Sequence, residues 1–514
     1  MNDTRACSAL SRRDASRLIA LLTATLALPG GLKAAPAGRY GPPSRFTWDV
    51  LVERARNTAR RPYTPRPPSR AAVADFDAHV RLTFGQAEAL PGHVRLFPTR
   101  MGIAQQAVGI NIVENGQARA LVDTHGLFGD HGGVDPAGFR VLYPDGHADW
   151  LAYLGASYFR AEGGKGQYGL SARAVGINTG VDHSEEFPDF TDFWIEDKGS
   201  AGGQDRLIIS CLLDGPSIAG AFEMDTRRMA DGMVQDIRAA LFPRRDIARL
   251  GLAPMTSMFL YGESDHRADW RREVHDSDGL AIITGTGERI WYPLSNPEWS
   301  VKHPTTNAFR ADHVKGFGLL QRDQDFDHYQ DDMSWYNRRP SLWVEPLGDW
   351  GAGAVNLFAF PSISETVDNI AAWWMSDTPA RAGVRRDLAY RLHWNAHEPM
   401  AGTQKDQNAR CIHVFTGPGG VPGGDPIAGV TRYVIDFASD VPGSPDPANT
   451  IEAVTDVPPS ALLTRTVRVI AGQGHRWRVT MDVRAASLPR PEFRLFLKRG
   501  PDALSETVII TAKS

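Results

Sequence analysis

From about residue 71 to the end of the chain, apolar residues come in short runs or strict alternation, with turn residues between them. Segments 121–123, 139–143, 192–195 and 206–213 read as strands, and so do 316–320, 341–346, 353–358 and 386–394. Asn115-Gly116, Asp145-Gly146 and Gly202-Gly203 supply the turns between them. Short strands with regular turn signals predict an all-β sandwich or barrel. One internal segment departs from this pattern. Residues 224–241, with Asp225 as a cap and Phe242-Pro243 as a stop, have helical spacing and predict a helix. A short helix is also expected at 48–59, inside an otherwise irregular Pro- and Arg-rich stretch, 38–70.

The pattern changes at 395–409, which holds Pro, Gly, Gln, Asn and Lys and no strong apolar run. A domain boundary is expected there. Residues 410–514 then have the length of one immunoglobulin-like sandwich, with strands at 431–437, 465–470, 477–483, 493–497 and 507–511. It opens on a Gly-rich loop, 416–429, which lacks the Gly-Lys-Ser/Thr of a phosphate loop. That loop reads equally as a lid over a site or as a plain disordered segment.

Composition narrows the partners. The 514 residues carry a net charge of −4, and no basic block is interleaved with aromatics, so a nucleic-acid partner is not expected. At the N-terminus Arg12-Arg13 precedes an apolar run, 18–28, and the small-residue stretch Ala35-Pro36-Ala37. Residues 1–37 therefore read as an export signal of twin-arginine type, with the mature protein in the periplasm. Cys211 and Cys411 remain after removal of Cys7; two buried free thiols are the favoured reading, and a bridge is the alternative. No CxxC or His-rich metal spacing occurs, and no cofactor is expected.

The chemistry lies in acids set among aromatics. Residues 271–280 read RREVHDSDGL and lead into a hairpin, 281–293, turned by Gly285-Thr286-Gly287. A second acidic stretch, Glu365-Thr366-Val367-Asp368-Asn369, stands before Trp373-Trp374, where it can also serve as a cap. Residues 323–335 are dense in acids and aromatics and read as a polar loop or as a groove wall. Carboxylates with Trp and Tyr suit a carbohydrate. Aromatic rings stack on sugar faces, and a pair of carboxylates cuts glycosidic bonds.

Several ordered blocks carry a resemblance. They include Gly155-Ala156-Ser157-Tyr158-Phe159-Arg160-Ala161, Tyr168-Gly169-Leu170-Ser171-Ala172-Arg173, Val274-His275-Asp276-Ser277-Asp278-Gly279-Leu280 and Gly287-Glu288-Arg289-Ile290-Trp291. Arg339-Pro340-Ser341, Trp343-Val344-Glu345-Pro346, Gly348-Asp349-Trp350-Gly351 and Asp368-Asn369-Ile370 continue the series. With these the chain resembles the periplasmic glucan biosynthesis proteins OpgG and OpgD (MdoG and MdoD), from about Phe46 to its end. The leader makes it most like OpgD. The resemblance implies a large galactose-mutarotase-like β-supersandwich over 38–394, a linker at 395–409 and a smaller immunoglobulin-like domain over 410–514.

It further implies action on the β-1,2-linked glucose backbone of osmoregulated periplasmic glucans, as an inverting endo-β-1,2-glucanase. A transglycosylase that closes the glucan into a ring and a non-catalytic glucan-binding scaffold are the alternatives. Carried over by motif, the acid falls on Asp368 and the base on Asp278, in a polar turn expected to favour ionisation. Glu365, Asp276, Trp291, Trp350 and Trp373 are the expected glucan-binding residues, and the membrane glucan synthase is an expected partner.

Overall fold

The computed structural model describes residues 38–69, 82, 87–100, 104–130, 134–201, 204–265, 269–297, 303–396, 409–421, 423–439 and 451–513. The leader and almost all of the 395–409 linker lie outside them. Two large sheets carry the architecture among the described residues, one of sixteen strands and one of ten. Their facing sides interdigitate as a sandwich. Phe139 and Tyr153 of the ten-stranded sheet meet Phe193 of the other at centroid distances of 5.1 and 5.7 Å, both edge-on. One continuous apolar core holds Leu96, Phe159, Ile209 and Phe222 with them. Burial of this kind is the dominant favourable term in folding.

Short apolar runs and period-two patterning account for these strands. Gly316–Leu320, Ser341–Pro346 and Thr507–Thr511 have the bounds that their apolar runs give them, and Arg386–Asn395 alternates buried and half-buried positions from Leu388 on. The helix Trp48–Ala59 also forms, capped by the Thr47 hydroxyl, which accepts from the Val50 N–H at 3.3 Å. It lays Leu51, Val52 and Ala55 on the outer face of the sixteen-stranded sheet, against Trp194, Leu212 and Ala221. Residues 121–123 form no strand; Leu121 makes a single bridge to Tyr40.

The helix expected at 224–241 is instead a hairpin. Ile218–Met229 and Gly232–Pro243 pair antiparallel in unbroken register around Ala230-Asp231. The apolar positions Met229, Met233, Ile237 and Leu241 recur every fourth residue, which satisfies a helix and one face of a strand alike. Gln235, between Met233 and Ile237, breaks the apolar alternation but is fully buried. It bonds Trp394 Nε1, Tyr153 OH and Thr226 Oγ1 at 3.0–3.1 Å. A buried polar group satisfied in this way is compatible with a core strand.

The C-terminal residues do not form a detached module. Arg410–Pro418, Thr431–Ala438, Gln473–Val483 and Leu462–Ile470 make their own four-stranded sheet. Thr507–Thr511, Glu492–Arg499 and Ile451–Thr455 instead extend the sixteen-stranded sheet. Thr507 and Val508 pair in parallel with Ile290 and Trp291. The core between these layers mixes Cys411, Tyr433, Ile435 and Trp477 with Ala281, Ile283, Trp291 and Trp343. Cys211 and Cys411 are both free and buried. The described part of the Gly-rich loop is held to its own sheet: Gly419 exchanges backbone bonds with Val430 and Ile427, and Arg432 binds the Gly420 carbonyl.

Candidate active site

The segment 271–280 is fastened on both sides before any side chain is considered. Val274–His275 pairs with Phe259–Tyr261. The Asp276 N–H donates to Met258 O and the Asp278 N–H to Leu320 O, each at 2.8 Å. The Ser277 hydroxyl meets that of Ser257 at 2.8 Å, in the interior. This fixed backbone sends Asp276 and Asp278 into different surroundings.

Asp278 faces the C-terminal layers. One carboxylate oxygen accepts the backbone N–H of Arg322 and, at 2.6 Å, that of Asp323. The other lies 3.4 Å from Nδ1 of His275. The His275 ring stacks on Phe259 at 5.1 Å, and its Nε2 meets Glu273 at 2.8 Å. Burial works against the imidazolium. The hydrogen bond that the ring donates to Glu273 and the charges of Asp278, Glu273 and Asp323 outweigh it and lift the His275 pKa to about 9. Burial dominates at Asp278 and, with the neighbouring acids Asp323 and Glu273, pushes its pKa up to about 7 against the pull of His275. The expectation that the polar turn favours ionisation of Asp278 is therefore not met. A cavity of about 110 Å³ opens beside this group, lined by Glu263, His275, Asp278, Arg322 and His413 among others.

Asp276 has a different partner and is fully buried. It pairs with the Arg339 guanidinium at 2.5 Å. Asp331, Asp368 and Glu365 also act electrostatically on that guanidinium, which burial holds below its ordinary pKa. Asp368 acts on the buried Arg173 as well. The loop that carries Asp368 is set by its neighbour Asn369. The Asn369 amide takes the Phe259 N–H at 2.9 Å and donates to the Phe259 and Phe360 carbonyls at 3.0 and 3.1 Å. Asn296 fixes the start of the same loop through the Ser362 backbone. Glu365 accepts from Arg271 at 2.7 Å and from the Tyr336 hydroxyl at 3.3 Å. Arg271 ties in Asp331 at 3.1 Å and Asp269 at 3.0 Å.

Asp276 pairs with Arg339, and the charges of Glu365 and Asp368 act on the same guanidinium, whereas Asp278 belongs to the His275 network. Residues 323–339 wall both groups, with Asp323 and His328 on one side and Asp331, Tyr336 and Arg339 on the other. Two of the three expected aromatic platforms are not presented to solvent, and Trp350 is half-buried. Trp291 and Trp373 are 4% and 2% exposed. Arg322 covers the Trp291 ring at 3.6 Å. Trp350 packs on Trp374 and Tyr390 at 5.3 and 6.0 Å. Trp291 and Trp373 stand on strands whose register turns the ring inward, which spacing near an acidic motif does not reveal. Arg339, Arg271, Tyr336, Asn369 and His275 carry the geometry and received no role from the sequence. The available signal was charge: buried acids require buried cations.

Glu273, Asp323 and His328 bring one ligand-type atom each within 4.8 Å of one another. Each already answers a neighbour, Glu273 through His275 and Asp323 through His328 at 2.5 Å. Their charges are thereby compensated by protein groups.

An all-β sandwich with carboxylates gathered at the ends of its strands defines a broad class. Comparison with known proteins narrows it. The chain belongs to the family described as periplasmic glucan biosynthesis protein, MdoG, which matches residues 46–512. It is 40% identical to glucans biosynthesis protein D 2 of Ralstonia nicotianae, over 95% of each chain. It is 37% identical to glucans biosynthesis protein D of Stenotrophomonas maltophilia, over 97% of each. A galactose mutarotase related enzyme from Lactobacillus acidophilus matches 56% of this chain and 97% of its own at 9% identity. Its TM-score of 0.22 is too low to bear on fold or function. Among the described residues no helix is long and apolar enough to cross a membrane.

Proposed function

We propose that this protein is an inverting endo-β-1,2-glucanase of periplasmic glucan biosynthesis, with Asp368 as general acid and Asp276, in place of Asp278, as general base. The observation that carries the reading is that Asp276 pairs with Arg339 while the charge of Asp368 acts on the same guanidinium. An inverting glycosidase needs one protonated carboxyl at the leaving oxygen and one ionised carboxylate that activates water on the other face. The Arg339 guanidinium at 2.5 Å favours the ionised form of Asp276, as a base requires. Asp278, lifted to about 7 and turned toward His275, suits that part less well. Tyr336, donating to Glu365 beside them, supplies a hydroxyl that can relay a proton or orient the water. Glu365 presents oxygens for sugar hydroxyls. Residues 1–37 serve as the export signal, and the family's description supports a periplasmic location.

The test is incubation of the purified mature protein with linear β-1,2-glucan, with product size and anomeric configuration followed by NMR. Short linear products released as the inverted anomer are expected. Asp368→Asn and Asp276→Asn each lose about 10²–10⁴-fold in turnover, and Asp278→Asn loses less. Retained configuration or ring-closed products overturn the inverting hydrolase and favour transglycosylation. Glucan binding with neither cutting nor transfer leaves the scaffold. An Asp278→Asn loss exceeding that of Asp276→Asn returns the base to Asp278.

A further inference from the structure

The buried tryptophans leave open what the sugar faces would stack on. Among the described residues Trp270 is the only aromatic side chain with more than half its surface exposed, at 67%. It is not a stray ring on a loop. The Arg271 guanidinium lies over it, 5.7 Å from the ring centroid. The donors of that same guanidinium hold Glu365 at 2.7 Å, Asp331 at 3.1 Å and Asp269 at 3.0 Å. One face of the indole is therefore anchored on a cation that is itself held by three carboxylates. Each of the three segments tied through Arg271 also carries a large exposed apolar side chain: Trp270 itself, Met333 at 79% and Ile363 at 70%. Met333 is held by its backbone N–H, which donates to Asp331 at 2.9 Å. Three apolar groups left in water around one ion-paired knot, next to the carboxylates, mark a ligand-contact surface rather than chance exposure.

We propose that Trp270 is a stacking platform for a glucosyl unit of the bound glucan, with Met333 and Ile363 as its apolar flanks. The occupant is a sugar chain because the surface joins hydroxyl-binding carboxylates directly to an open aromatic face. A pyranose needs both: C–H groups against the ring and hydroxyls to oxygen acceptors. The ring is oriented in advance by Arg271, so little conformational freedom is lost on binding. This subsite rests on the reading that glucan binds at the Asp368 cluster, and it extends that site along the chain of the substrate.

The experiment uses the full mature protein with Trp270→Ala and Trp270→Phe. Binding of linear β-1,2-glucan is measured by calorimetry in an Asp368→Asn background, and cleavage is measured in the otherwise unaltered enzyme. Trp270→Ala is expected to weaken polymer binding about tenfold, the effect of uncovering one ring face. KM rises by a similar factor, kcat changes little, and Trp270→Phe recovers most of the loss. The product-length distribution shifts, which a merely structural role would not produce. Unchanged affinity with cleavage intact overturns the platform and leaves the hydrolase. Trp270-dependent binding by a protein that does not cleave keeps the platform and removes the hydrolase. A change of oligomeric state in Trp270→Ala with glucan affinity unchanged overturns the sugar occupant in favour of a second copy of the chain.

Discussion

Removing the Glu506 carboxylate should loosen the join between the C-terminal layers and the main sheet more than any surface change. Glu506 is 2% exposed and holds Arg322, itself 9% exposed, through a two-point pair at 2.6 and 3.1 Å. It also takes the Cys411 N–H at 2.7 Å. Glu506→Ala leaves a buried guanidinium without its counter-charge and a backbone donor without an acceptor. Breaking a buried pair from one side costs about 3–5 kcal/mol. Arg322 keeps the Cys411 carbonyl at 3.0 Å and its stack on Trp291, so the low end, about 3 kcal/mol, is expected. Glu506→Gln keeps an acceptor and should lose about half as much. Arg322→Met with Glu506→Leu should recover most of the loss, because an apolar pair of similar volume replaces the ions. The assay is urea unfolding followed by near-ultraviolet circular dichroism, with hydrogen exchange at the Cys411 amide as a local readout. A chain of this size need not unfold in one step, and the local measurement decides which layer opens first. Glu506→Ala within about 0.5 kcal/mol of wild type, the range of ordinary surface substitutions, would refute the reasoning. So would a double variant no better than the single one.

Other outcomes follow from the same geometry. His275 binds its proton more tightly folded than unfolded, so its stabilisation is complete below about 6.5, the free imidazole value. It is lost as pH rises through about 9, where the folded group titrates. Melting temperature should fall across that window, and His275→Gln should remove this part of the slope; an unchanged slope would exclude His275 as its source. Gly232→Ala should cost more than about 2 kcal/mol, because φ is +141° and a Cβ there would stand 2.1 Å from the Trp394 carbonyl oxygen; a melt unchanged from wild type would contradict the register. Changing Arg12 and Arg13 to Lys should leave precursor in the cytoplasm, and normal periplasmic delivery would exclude the twin-arginine route.

Much of this fold was legible because strands carry their own period. Arg386–Asn395 alternates buried and half-buried positions from Leu388 on, in a way no helix would accept. The hairpin at 218–243 was misread because apolar spacing by four is shared by both periods and Gln235 hid the alternation. The carboxylates of the site were also legible, since Asp, Glu and Trp in short motifs announce chemistry. Their grouping was not. Asp276 and Asp278 are two residues apart, and only the anchoring of the backbone between Met258 and Leu320 separates the surroundings they meet. The inward turn of Trp291 and Trp373 was hidden for a similar reason: which face a strand turns to its core is fixed by pairing with distant strands.

The parallel pairing of Thr507–Thr511 with Arg289–Pro293 has a consequence for the order in which the molecule can be completed. A ribosome makes the chain from one end, and the strand that covers Trp291, Thr507–Thr511, is made long after Arg289–Pro293. Until then the edge beyond Arg289–Pro293 stays open and the core shared with Cys411 and Tyr433 stays unfilled. Completion of this core therefore takes a long-range closure that is slow by its topology. Loss of Thr507–Thr511 would leave that edge bare however completely the preceding strands had folded.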